Sequence, residues 1–358
     1  MKWFEVFDRT ISLAARLFAV ALGFAVGAVV AFELTDASVT IDEMSVPSDL
    51  ANQGYTPSVV AHEILDEWAN ISTVATTTKR RQEISLGHGQ VELSLPAVEL
   101  SIGSIVDSFR SRLGFPQEHV RGGIVNTVST DPKCANGCYT FLLDLDGPTP
   151  DHFSITEPKE NINQLIREAS RLAVEKLDPY LLANYYYASK PADEPNREQE
   201  VYRLVAVVLA TKPSDDDTWA YTLLGAMLNK QERWPEAVSN FNNALAIDPH
   251  FAPALNSRCW AKAHIPGEVG DAIVDCRAAL GFDPDSFETM DSLAFALEQN
   301  NQRGAAFDLI RCALRVEQRA PPAKRSGSVE QTYARLRLSA PNARSPEPTE
   351  AACKAITR

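Results

Sequence analysis

Residues 218–250 read TWAYTLLGAMLNKQERWPEAVSNFNNALAIDPH, and this stretch decides the fold of the carboxy-terminal half. Aligned with the residues beyond it, the stretch recurs at a period of about 34 residues, the mark of stacked supersecondary units rather than one closed core. Three units span residues 218–318, at 218–251, 252–286 and 287–318. In the second, Leu255, Ala272, Ala279, Leu280 and Pro284 hold matching places, with one extra residue near Ile265-Pro266-Gly267. In the third, Leu293, Ala294, Ala306, Ile310, Ala313 and Leu314 match, and the closing proline is missing. Gly225, Ala237 and Ala244 let paired helices approach closely, while Leu224, Phe241 and Leu245 fill the space between units.

The unit resembles the tetratricopeptide repeat. Tyr221, Leu224 and Gly225 fit the first helix of that motif, and Trp234, Ala237, Phe241, Ala244, Leu245 and Pro249 fit the second helix and its exit. The resemblance implies an α-helical solenoid whose concave face is made by outward positions of each first helix. By register these are Trp219, Thr222, Ala226 and Asn229, then Asn256 and Trp260, then Asp291, Phe295 and Glu298. Aromatic rings beside amides and acids suit an extended peptide or a helix of a partner protein. The alternative packs Trp219 and Trp260 against neighbouring helices. The face has no cluster of Lys and Arg, which argues against a carboxylate clamp of the chaperone-binding type. Upstream, 161–187 and 198–211 read as two helices, so that 159–217 is a helical linker, a degenerate repeat or the cap that an exposed solenoid end requires.

The six cysteines fit this frame. The resemblance places Cys259 and Cys276 opposite each other on the two helices of one repeat, where Cα atoms come within the roughly 5–6 Å a disulfide needs. Two buried free thiols are the alternative. Cys134 and Cys138 flank the loop of PKCANGCYT, a short bridge at a hairpin end, with no further ligands at metal-binding spacing. Cys312 and Cys353 pair by subtraction. Three disulfides accord with an exported protein.

Residues 11–32 are apolar apart from Ser12 and Arg16. As a helix at ~1.5 Å per residue they reach roughly 33 Å, enough to cross the hydrocarbon core, with Arg16 snorkelling to the headgroups. Lys2, Arg9 and Arg16 sit on its amino-terminal side, and no Lys or Arg follows on the other side until Lys79. The positive-inside rule therefore puts residues 1–10 in the cytoplasm and the bulk of the chain in the periplasm, as a single-pass protein of the inner membrane. A cleaved signal peptide competes with this anchor, but Glu5, Asp8 and the length of the apolar run count against it. Gly23 and Gly27 form a GxxxG within a small-residue stripe, a surface for homodimerisation through the membrane helix.

Residues 33–158 read as a small α+β domain. A strand is expected at 38–46, a helix opening at Thr56-Pro57 with Val59, Val60, Ile64, Leu65 and Trp68 inward, and alternation over 84–95. A second helix is expected at 102–113, and a hairpin pairs 120–128 with 138–145. His62 and Glu63 lack a second histidine at zincin spacing, and His88 lies in the turn Gly87-His88-Gly89. Residues 319–358 form a Pro- and Arg-rich tail, with a helix at 328–338 carrying Tyr333, Leu336 and Leu338 as its apolar side.

Composition narrows function. Apolar residues make up 45% and the net charge is −13, so wholesale disorder and multi-span membrane architecture are excluded, and nucleic acid is a poor partner. No GxSxG, HExxH, Walker or Rossmann fingerprint occurs, and neither cofactor nor metal is implied. The expectation is a non-enzymatic, membrane-anchored scaffold that recruits a protein or peptide at the periplasmic face. A cytoplasm-facing adaptor is the alternative. So is a ligand-binding or enzymatic domain at 33–158, drawing on His62, Glu63, Asp66, Glu67 and His119.

Overall fold

A computed structural model describes residues 39–75 except Glu43, 84–86, 118–146, 150–190, 194–210, 214–322, 325, 327–339 and 348–357. Residues 11–32 with Gly23 and Gly27, the expected helix at 102–113 and the part of 84–95 beyond Leu86 lie outside them. Among the described residues no helix is long and apolar enough to cross a membrane. The chain is mostly helical, with one small sheet, and divides into two compact units after Leu177.

The first unit holds a five-stranded sheet in the order β2-β1-β3-β4-β5. β1 (Val39–Ile41) runs parallel to β2 (Ile84–Leu86) and to β3 (Glu118–Thr127). β3, β4 (Cys138–Asp146) and β5 (Asp151–Pro158) form an antiparallel meander. The β3–β4 hairpin is legible in the sequence; β5 is not, because Phe153 and Ile155 are the only apolar residues on its half-buried side, with Asp151 and Glu157 at the flanking inward positions. Val120, Ile124, Tyr139, Phe141, Leu143 and Leu145 share one buried face, as the period of two requires. Gly122 is needed where β3 meets β4, since a Cβ there would lie 2.0 Å from the Leu142 carbonyl oxygen.

A short α1 (Ser48–Ala51) precedes α2 (Pro57–Val74). The apolar stripe of α2 is Val60, Ala61, Ile64, Trp68 and Ile71. Val59, expected inward, is exposed: at one residue before Val60 it is turned about 100° off the stripe. α3 (Ile162–Leu177) packs on β4 and β5 and pairs with α2 through Arg171 and Glu67 at 3.1 Å. The stretch 161–187 is therefore two helices, not one. Pro179 lacks the N–H a continuing helix needs, and the Asp178 carboxylate accepts from the Leu181 N–H at 2.9 Å to start α4. This break moves the boundary from 158 to 177 and gives α3 to the sheet.

The second unit is a series of antiparallel helix pairs. α4 (Pro179–Ala188) pairs with α5 (Arg197–Ala210), and α6 (Asp215–Lys230) with α7 (Trp234–Ile247). α8 (Ala252–Ala263) pairs with α9 (Val269–Phe282), and α10 (Phe287–Gln299) with α11 (Arg303–Arg319). α6, α8 and α10 each also touch the second helix of the preceding pair, and neighbouring first helices touch one another. The period is visible in the turns. Glu232, Gly267 and Asn301 hold φ of 58°, 91° and 59° at the bends within the last three pairs. Arg233 N–H donates to Leu228 at 2.9 Å just as Gln302 N–H donates to Leu297 at 2.8 Å.

α12 (Ser328–Ser339) lies across α10 and α11, and α13 (Glu350–Thr357) lies on α11. Val329 and Leu336 are buried and Tyr333 stacks on Phe307 at 5.7 Å, while Leu338, expected inward, is 92% exposed. All six cysteines are paired, as Cys134–Cys138, Cys259–Cys276 and Cys312–Cys353.

Candidate partner-binding groove

The first helices of successive pairs line up side by side, so residues one helical face apart on different helices converge. A groove of about 300 Å³ results. Its walls are Ala226, Asn229 and Lys230 of α6, Asn256, Ser257 and Trp260 of α8, Ser292 of α10, and Tyr187 near the end of α4. Ala226, Asn229, Asn256 and Trp260 are register-predicted positions. Lys230, Ser257, Ser292 and Tyr187 are not. Lys230 and Ser257 lie directly after predicted residues and widen the face; Tyr187 lies on a helix whose pairing the sequence leaves open.

The groove is polar at its floor and aromatic at one end. The Asn229 Nδ2 donates to the Ser257 carbonyl at 3.2 Å, tying α6 to α8. The Oδ1 atoms of Asn229 and Asn256 are buried with no hydrogen-bond partner. A buried acceptor without a partner costs about 1–3 kcal/mol, a cost that core packing has no reason to retain. Lys230 Nζ sits 3.6 Å above the Tyr187 ring and donates to the Tyr187 carbonyl at 3.3 Å. Desolvation first, and then the Arg197 charge, pulls its pKa below the ordinary lysine value. Burial raises that of the Tyr187 phenol. Trp260 stands 4.8 Å from Phe295 and from His264, and His264 is stacked between Trp234 at 4.1 Å and Phe295 at 4.6 Å.

The remaining predicted positions are otherwise occupied. Trp219 packs between Tyr180 at 6.0 Å and Phe251 at 4.6 Å, as the packing alternative has it. The buried Thr222 hydroxyl donates to the Thr218 carbonyl at 2.7 Å. At the other end, α12 takes up two acids of α10. Ser328 and Thr332 hydrogen-bond the Asp291 carboxylate, whose pKa is raised by burial, and Arg335 pairs with Glu298. One Asp291 oxygen, Oδ1, is left buried without a partner.

In the first unit, three of the acid–base candidates have neighbours outside the candidate set. His62 Nδ1 bonds the Ser58 carbonyl at 2.7 Å, Glu67 pairs with Arg171, and His119 lies on β3 with its Nδ1 3.5 Å from Asp42. Burial raises the Glu63 pKa. Among the described residues none of His62, Glu63, Asp66, Glu67 and His119 is bonded to another. No protein-family model matches the chain, and no curated protein shows significant similarity to it.

Proposed function

We propose that this chain is a tetratricopeptide-type scaffold. Its groove recruits an extended segment of a protein partner, and residues 11–32 hold it in the inner membrane with the bulk of the chain in the periplasm. The observation that carries the reading is the groove itself. It crosses successive first helices at Asn229, Asn256 and Trp260, the positions that the repeat register selects, and offers amides, one lysine and an aromatic end. Side chains of that kind grip a peptide main chain and one anchoring side chain. The three disulfides favour the exported topology over a cytoplasmic adaptor.

A photo-crosslinking residue at position 256 tests the groove in intact cells. A discrete adduct there, with none from the same probe at Asp271 on the outer helix α9, is the expected result. Equal labelling from both positions ends the groove reading. Thiol labelling of intact and lysed cells, with and without reductant, tests topology: six cysteines that react after lysis without reductant overturn export.

A further inference from the structure

The last helix is fastened to the stack by a bridge between Cys312 of α11 and its own Cys353. We infer that this bridge is a redox-operated clasp, whose opening by a dithiol frees α13 from α11 while the helix pairs stay folded. The inference is independent of the partner proposed above.

α13 has 8 residues, too few to persist as a helix in water, so its structure depends on docking. Cys353 and Ile356 are only partly buried against the cluster around Leu309, Ile310 and Cys312, and Arg315 Nη2 donates to the Pro348 carbonyl at 2.9 Å. Ala351 and Ala355 face solvent. The bridge joins positions 41 residues apart and is the covalent tie between α13 and α11.

The other bridges fasten no separate segment. Cys259 and Cys276 are each 0% exposed, within one pair whose helices pack on each other. Cys134–Cys138 closes a separation of 4, where the β3–β4 ladder already reaches Cys138. Opening either releases no segment.

Thiol–disulfide exchange needs a thiolate to reach a sulfur, and the half-buried Cys353 is the accessible end. Attack on Cys353 Sγ forms a mixed disulfide, and Cys312 departs as a thiolate and takes up a proton. The second thiol of the reductant then displaces Cys353. Two protein thiols and the oxidised dithiol result, two electrons having passed to the protein. Once protonated, the buried Cys312 thiol has an acceptor within reach: its Sγ lies 3.2 Å from the Asp308 carbonyl, one turn back, to which it donates a hydrogen bond.

Hydrogen exchange of the full chain, before and after a titration with dithiothreitol, tests this, with alkylation reporting which bridge has opened. The expected result is Cys353 labelling before Cys259 or Cys276, at least a tenfold loss of amide protection in 350–357, and unchanged protection in α6 to α9. Cys353→Ser under oxidising conditions should reproduce the released state with the other bridges intact. Protection of 350–357 that survives an open Cys312–Cys353 bridge overturns the clasp. So does opening of Cys259–Cys276 at the same or lower dithiothreitol.

Discussion

Gly225 of α6 faces the ring of Phe241 of α7 so closely that a β-carbon on the glycine would stand 2.5 Å from ring atom Cε1. Phe241 is fully buried, so the ring has no open space to retreat into. Gly225→Ala gains up to about 1 kcal/mol of helix propensity but meets an overpacking cost of about 1–3 kcal/mol. We expect a net loss of stability, read as a lower denaturant midpoint. A midpoint that rises would mean that the pair separates without cost and that Gly225 is not what sets its spacing.

Asp275 is the buried anchor of the α8–α9 pair. Arg258 reaches both of its oxygens, at 2.8 and 2.7 Å, and Lys262 Nζ lies 2.9 Å away. Asp275→Ala strands two partly buried cations, and we expect a loss of about 3–5 kcal/mol by chemical denaturation. Asp275→Asn keeps an acceptor for Arg258 and should fall between that variant and the wild type. If alanine and asparagine are equally mild, the network contributes little.

In the first unit, Asp49 accepts from Lys159 at 2.9 Å, Asn126 at 3.0 Å and Tyr139 at 2.9 Å. The hydrogen bond from Lys159 is the largest cause holding its pKa well below the usual carboxylate range; Asn126 and Tyr139 add to it. A carboxylate depressed in the folded state adds stability above its unfolded pKa, near 3.9, and that contribution is lost as pH falls through the folded value. Thermal unfolding of the full chain should therefore show the first unit losing stability below about pH 4, and Asp49→Asn should flatten that slope. A slope unchanged by the substitution would remove Asp49 from the account.

Asn256 and Trp219 separate binding from folding. Asn256→Ala deletes a buried oxygen that has no partner, so it should leave stability unchanged or raise it by up to about 1 kcal/mol while partner capture falls. Trp219→Ala opens space between Tyr180 and Phe251 and should cost about 2–3 kcal/mol with capture intact. Titration calorimetry with the captured partner and thermal melts on both variants read this directly. The opposite pattern would make Asn256 structural and Trp219 part of the groove.

Features that depend on near neighbours are legible in the residues alone. Helix pairs at 218–318 can be read from the period because each pair is built from residues within one repeat, and Cys259–Cys276 can be read for the same reason. The β3–β4 hairpin is equally local. Features that depend on distant neighbours emerge only in the folded chain. Asp178-Pro179 marks a break, but only packing shows that α3 turns back onto β4 and β5. Register marks Asp291 and Glu298 as outward, but α12 covers both from more than a repeat away, and Tyr187 enters the groove from a pair that precedes the periodic region. Apolar spacing states which face of a helix is buried against its partner. It is silent about which remote segment covers the polar face, because that contact depends on the closure of long loops, and no local pattern encodes it.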